Sequence, residues 1–164
     1  MKSKQHLSLF GVGPVYVITI TVITVIVLFF HYTSIIATLE IPLYIVIFLR
    51  TIAVLCMILG VLIWLGAVFS SRITQNIKEN HLITDGVYGI VRHPVYSAFT
   101  LLEAGMLLFT GNLWLSLFIP LYWLFFTILV KHTEEKWLLN LYGKDYEDYC
   151  KRVNRCIPWF PKKR

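Results

Sequence analysis

The order of apolar and polar positions divides the chain into long apolar runs separated by short polar breaks. Val12 to Phe30 is apolar almost throughout, interrupted by Gly13, Pro14 and the threonines 19, 21 and 24. Wound as a helix at 1.5 Å per residue it covers roughly 28 Å, close to the ~30 Å hydrocarbon core of a bilayer. Pro14 falls in the first turn, where a missing N–H is tolerated. Ile41 to Phe69 is a second run, broken by one charge, Arg50, and long enough to tilt or to project beyond the lipid. After a polar stretch from Ser70 to Arg92, Tyr96 to Thr110 forms a shorter apolar segment that contains Glu103. Gly111-Asn112 is a turn signal, and Leu113 to Val130 follows with Pro120 inside it. Beyond Lys131, the residues Trp137, Leu138, Leu141, Tyr142, Tyr146 and Tyr149 recur at steps of one, three and four. That spacing gives a helix with one apolar face, lying at the membrane surface and interrupted by Gly143.

The pattern predicts an all-α integral membrane protein. Four transmembrane helices are expected over about 12–31, 41–69, 95–110 and 113–131, then a C-terminal amphipathic helical segment, all in one membrane-embedded domain over 1–164. The first run is read as a span and not as a secretory signal, because its apolar part is too long and no A-x-A site follows.

Composition agrees. Of 164 residues, 57% are hydrophobic and 15% charged, and the mean hydropathy is +0.70. A soluble domain of this size has too much surface for its volume to bury so much apolar material. The same figures exclude disorder. Three cysteines, one of them (Cys56) inside an apolar run, exclude a disulfide scaffold; Cys150 and Cys156 are expected as reduced thiols.

The net charge of +6 matters through its distribution. Of the 15 Lys and Arg residues only Arg50 falls away from the side that carries both termini and the 70–95 stretch. The positive-inside rule makes that side cytoplasmic. The charge therefore points to membrane lipids and not to nucleic acid; in a bacterium the membrane is expected to be the cell membrane. Arg50 and Glu103, the two intramembrane charges, stand at roughly 13 Å and 10 Å from the outer ends of their helices, by the helical rise. They are expected to form an ion pair, since an unpaired charge there is costly, the alternative being that one of them faces a substrate cavity.

Polar chemistry concentrates between Asn80 and Tyr96. That connector brings His81, Tyr88, Arg92, His93 and Tyr96 together with Gly86 and Gly89 just ahead of the third span. His93 precedes the helix and Pro94 fits its first turn. His81, His93, His132 and Glu134 lack the close spacing of metal ligands, so no metal site is expected.

The run Gly86-x-Tyr88-x-x-x-Arg92-His93-Pro94-x-Tyr96, a helical hairpin, Glu134-Glu135, and then Tyr142-Gly143-x-x-Tyr146-x-x-Tyr149 resembles the isoprenylcysteine carboxyl methyltransferase family, over roughly residues 60–160. The related phospholipid N-methyltransferases share much of the pattern. The resemblance implies an integral membrane enzyme that uses S-adenosylmethionine, bound by residues 80–96 together with 131–160. It implies that Asn80, His81, Leu82 and Ile83 line the cofactor, with Tyr88 in contact. His93, Pro94, Val95 and Tyr96 then hold its amino-acid and ribose parts, and Glu134 hydrogen-bonds it. Arg92, His93 and Glu134 are the implied catalytic group. Family members often carry an arginine four residues before the paired acids, facing the acceptor; here that position is Val130, followed by Lys131. His81 also stands one residue closer to Gly86 than the pattern has it, and the chain is one span shorter than five-span relatives.

Methyl transfer is an in-line displacement at a sulfonium carbon, so holding donor and acceptor in line is the main task. A carboxylate acceptor is already ionised and needs no base; an amine needs one, which Glu134, Glu135 or a histidine would supply. A lipophilic acceptor from the bilayer explains why such an enzyme is embedded. The expected function is carboxyl methylation of an isoprenylcysteine-like acceptor. The alternatives are phospholipid N-methylation, an NADPH-dependent membrane reductase, and a non-catalytic membrane protein or small transporter.

Overall fold

The computed structural model describes residues 11–38, 41–69 and 82–159. Seven α-helices occur among them: α1 (Gly13–Tyr32), α2 (Leu43–Phe69), α3 (Pro94–Phe109), α4 (Leu113–Ser116), α5 (Phe118–His132), α6 (Glu134–Tyr142) and α7 (Lys144–Arg152), with a 3₁₀ turn at Gly86–Gly89 before α3. The described residues contain no strand, only an isolated bridge between Val91 and Asn154. Three helical stretches, 13–32, 43–69 and 113–142, are long and apolar enough to cross a membrane, and α3 is a shorter apolar helix beside them. The molecule is a multi-pass membrane protein.

The expected spans coincide with helical stretches to within two residues at each end, except that the fourth is broken. Helix α4 stops at Ser116 and α5 begins at Phe118. Pro120 has no N–H to offer the carbonyl four residues back, that of Ser116, and the helix gives way there. The C-terminal amphipathic segment is two helices, since Gly143 between them has φ of +54°, a left-handed value that suits glycine.

Helix α3 is the centre of the bundle, and its two faces have different partners. Ala98 and Gly105, seven residues apart, meet α2. A side-chain carbon at Gly60 of α2 would stand 2.8 Å from the Ala98 carbonyl oxygen, and one at Gly105 would stand 2.8 Å from that of Ala53. Small residues thus let the two backbones touch, the usual way helices associate where lipid leaves no hydrophobic gain. The other face carries Tyr96, Thr100, Glu103 and Leu107 at steps of four, three and four, and turns to α1 and α5. The main core lies there, around Tyr16, Ile20, Phe126 and Val130, all fully buried.

The expected Arg50–Glu103 ion pair does not form. Glu103 lies on the α1 side of α3, 2% exposed, and accepts a hydrogen bond of 2.7 Å from the Thr21 hydroxyl. Arg50 lies on the other side, where its Nε donates to the Phe109 carbonyl at 3.2 Å and its guanidinium sits 5.6 Å from the Phe109 ring centre. Equal depth put the two charges at one level, but the opposite faces of α3 keep them apart.

Candidate functional site

The N-terminal end of α1, the connector ahead of α3, the N-terminal end of α3, the C-terminal end of α5 and helices α6 and α7 meet at one end of the bundle. Two short tethers shape the connector. Arg92 N–H donates to the Asn154 carbonyl at 2.9 Å, and the Tyr149 hydroxyl donates to the Tyr88 carbonyl at 2.6 Å. Leu82 packs against a cluster built on Tyr146, Tyr149 and Val153. The tail tyrosines that recur at helical spacing therefore fold back onto the connector and fix it.

Glu134 and Glu135 open α6, where the exposed N–H groups of the first turn favour negative charge. They face different partners. Glu135 is held by Arg155, whose Nε and Nη2 reach its two oxygens at 2.8 and 2.7 Å, and by Arg92, whose Nη2 lies at 2.9 Å. Burial alone would raise its pKa; His93, Arg155 and Arg92 together outweigh that and hold it at about 2. Arg92 is itself almost enclosed, pairing also with the Cys150 thiol and lying 6.0 Å from the Tyr146 ring centre. This arginine braces α6 and α7 against the connector.

Glu134 has no arginine. Its Oε1 accepts the Tyr96 hydroxyl and, at 2.9 Å, the backbone N–H of Val12. Its Oε2 stands 3.5 Å from Nδ1 of His93. Burial works against its charge, but hydrogen bonds from His93 and Tyr96, the nearness of His93 and the Val12 N–H keep its pKa below the usual carboxylate range. Its charge, after burial, helps push the Tyr88 hydroxyl up, which puts Tyr88 in the same neighbourhood. His93 stands at the position just before α3, without a capping bond from its side chain, and is 6% exposed. Its Nε2 lies 3.7 Å from Glu135, too far for a hydrogen bond, and is buried without a partner. Its ring stands perpendicular to those of Tyr96 and Phe126, which are stacked at 5.1 Å.

The structure thus joins Tyr88, Arg92, His93, Pro94, Tyr96 and Glu134, with Val95 beside them and Leu82 in the adjoining tyrosine cluster. Asn80 and His81 lie outside the described residues. Lys131 borders an open cavity of about 470 Å³ shared with His132, Glu135, Lys136 and Tyr146. Val130 is fully buried in the core beside Phe126, so of the expected acceptor pair only Lys131 is on an open side. A second cavity, apolar and about 440 Å³, lies between α3 and α5 and is closed at one end by Cys156, Ile157 and Pro158. Sequence reasoning missed Val12, Arg155 and the bracing part of Glu135. The contacts that define them span 122, 20 and 43 residues, and no local spacing announces them. No group of three or more His, Cys, Asp or Glu fit to hold a metal occurs among the described residues.

Comparison with known proteins supplies the family. The sequence model of the phospholipid methyltransferase family matches residues 48–145. The chain belongs to that family. The matched segment runs from α2 into α7 and so takes in the connector and both acids of α6. Among curated relatives, the protein-S-isoprenylcysteine O-methyltransferase of Schizosaccharomyces pombe is 37% identical over 98 residues, 58% of this chain and 41% of that protein. Protein-S-isoprenylcysteine O-methyltransferase B of Arabidopsis thaliana is 33% identical over 96 residues, 57% of this chain and 48% of that protein. The Delta(14)-sterol reductase of Mus musculus is 37% identical over 83 residues, 48% of this chain but only 19% of that protein. The chain spans about half the length of the curated methyltransferases it matches, or less. No solved structure matches it. The expected resemblance to isoprenylcysteine carboxyl methyltransferases is borne out.

S-adenosylmethionine, the methyl donor this family implies, fits the residues present. It is a cation with an ammonium, a sulfonium and a ribose diol. The site offers a largely buried carboxylate whose pKa is held below the usual range, and a buried histidine nitrogen with no hydrogen-bond partner.

Proposed function

We propose that the protein methylates the carboxylate of a lipid-linked acceptor of the prenylcysteine kind, taking the methyl group from S-adenosylmethionine. The observation that carries this reading is the meeting of His93, Tyr96 and Glu134 at the mouth of the bundle, from connector, α3 and α6. When bound, the cofactor supplies a methyl group activated by positive sulfur.

The chain's own residues bind, orient and exclude water. In this reading Asn80, His81, Leu82 and Ile83 line the donor, Tyr88 touches it, and His93 with Pro94, Val95 and Tyr96 shapes its seat. Glu134 offers Oε2 to a donor hydroxyl or ammonium. Arg92 acts through Glu135 and keeps α6 in register with the connector. A carboxylate acceptor needs no proton removed, so positioning carries most of the rate. Lys131 supplies a cation beside the site for the acceptor's negative charge. The apolar cavity between α3 and α5 suits the lipid chain, and Phe126, whose ring also meets that of His93, lines it. The basic end, with both termini, faces the cytoplasm by the positive-inside rule, so the donor arrives from water and the acceptor from the bilayer.

The family's own description favours one second reading, in which the acceptor is a phospholipid amine; a base is then required. The test is calorimetric titration of the detergent-purified protein with S-adenosylmethionine and, separately, NADPH. Methyl transfer to a farnesylated cysteine derivative is then compared with transfer to phosphatidylethanolamine vesicles. Binding of the first cofactor and labelling of the farnesyl compound is the expected result. Labelling of the phospholipid alone selects the second reading, and binding of NADPH alone overturns both.

A further inference from the structure

The segment that leads into α1 presses directly on Glu134. Val12 N–H donates to Oε1 at 2.9 Å. Gly11 adopts φ of +51°, and a side-chain carbon there would run into the Glu134 carboxylate. Two residues on, a side-chain carbon at Gly13 would lie 3.6 Å from the Tyr96 hydroxyl oxygen, the other donor to the same carboxylate oxygen. The chain passes so close to Glu134 and Tyr96 that its first position has no room for a side chain. A hydroxyl-and-aromatic clasp follows one turn into α1. The Tyr16 hydroxyl bonds the Thr100 hydroxyl at 2.7 Å and donates to the Tyr122 carbonyl at 3.2 Å, and its ring lies 5.5 Å from that of Tyr96. Helix α1 is thereby held against α3 and α5, with its entering turn over the acid. None of these α1 residues lies in the stretch matched by the family.

From this we infer that the Gly11-Val12-Gly13 turn is a positioning element of the donor site, an inference that rests on the methyltransferase reading. By filling Oε1 with a backbone donor, the turn leaves Oε2 as the acceptor turned toward His93 and the donor's polar groups. It also covers Glu134 from the side of α1 and keeps water from competing there. Glu134 is placed by three separate stretches of chain: Val12 from α1, His93 and Tyr96 from the start of α3, and its own helix.

The experiment is titration of S-adenosylmethionine into the detergent-purified full chain and its variants, with thermal unfolding measured in parallel. Gly11→Ala brings a side chain against the carboxylate. Gly11→Asn does so with less backbone strain, because asparagine enters the left-handed region more readily than most residues. Gly111→Ala introduces the same kind of strain at the opposite end of the bundle, where φ is +74°. We expect both Gly11 variants to bind the donor about tenfold more weakly, on the order of one charged hydrogen bond, and Gly111→Ala to bind within about twofold of the parent. In a Glu134→Gln background, Gly11→Asn should add no further loss, since the two act through one group. Unchanged binding in both Gly11 variants overturns the inference. So does tighter binding, which would make the turn a plug, or a full additional loss on top of Glu134→Gln. If the parent itself binds no S-adenosylmethionine, the methyltransferase reading fails and the inference falls with it.

Discussion

Two adjacent carboxylates, identical in type and both at the first turn of α6, are given different tasks by what faces them. Glu135 is enclosed by Arg92 and Arg155. Its pKa in the folded chain is about 2, below the ordinary 4.5. Such a group stabilises the fold fully above pH 4.5, and that contribution is lost as pH falls towards 2. The unfolding midpoint should therefore drop over that acid window in the parent protein, and Glu135→Gln should flatten the drop. At neutral pH the same substitution should destabilise by about 3 kcal/mol, because it leaves the buried Arg92 guanidinium and the half-buried one of Arg155 without their carboxylate. Glu134→Gln keeps the shape and has no arginine to strand. Its unfolding midpoint should fall less than that of Glu135→Gln, while binding of S-adenosylmethionine weakens at least about tenfold, the effect of losing one charged hydrogen bond. Equal losses of binding from both substitutions would contradict this division. The pairing of acids was legible in the sequence, and the resemblance singled out Glu134 for the cofactor, but what holds Glu135 was not legible. Arg155 lies 20 residues further on, and only the return of α7 onto the connector brings it to Glu135.

At the scale of elements, α3 does the most. One face meets α2 through glycine and alanine, the other meets α1 through hydroxyls and rings. Gly60→Leu and Gly105→Leu each force side-chain carbons into a backbone carbonyl 2.8 Å away. Each should destabilise by about 2–3 kcal/mol, the scale of overpacking in a tight core, measured as a lowered unfolding midpoint in detergent. Gly143→Ala meets nothing within 4 Å and should cost only the strain of its positive-φ backbone, about 1–3 kcal/mol. Apolar run length located the four apolar helical stretches, and Gly111-Asn112 marked the turn between the last two. It did not show the break at Leu117, although the proline that causes it stands in plain view three residues later. Nor did it show which face of α3 carries Glu103. Depth follows from counting residues; azimuth depends on which neighbour each face meets, and that required the packed bundle.

Across the whole molecule, polar ends and apolar middle are arranged so that both ends of the chain's described part approach one face. Val12 meets Glu134 there, and Trp159 N–H reaches the Ile90 carbonyl at 3.3 Å. At the other end, Asn112 draws His31 and the Ala37 carbonyl together at 3.3 and 3.2 Å. A cysteine introduced at Thr38 and one introduced at Asn140, in a background without Cys56, Cys150 and Cys156, should label from opposite sides with a membrane-impermeant maleimide. The Asn140 site should react only after the face proposed as cytoplasmic is opened; labelling of both from one side would contradict the proposed orientation. The fold class was legible here because a bilayer imposes its own arithmetic on the sequence. The site was legible in part, through the motif from Gly86 to Tyr96 and the acids that follow.

The stacked pair of Tyr96 and Phe126 has one more implication. Tyr96 donates to the Glu134 carboxylate and both rings meet the His93 imidazole, while Phe126 also lines the apolar cavity between α3 and α5. In the proposed reaction, a wall one aromatic layer thick would let two reactants of opposite solubility come almost into touch while each stays in the medium that dissolves it. Thinning that wall by trimming Phe126 would connect the wet compartment to the oily one.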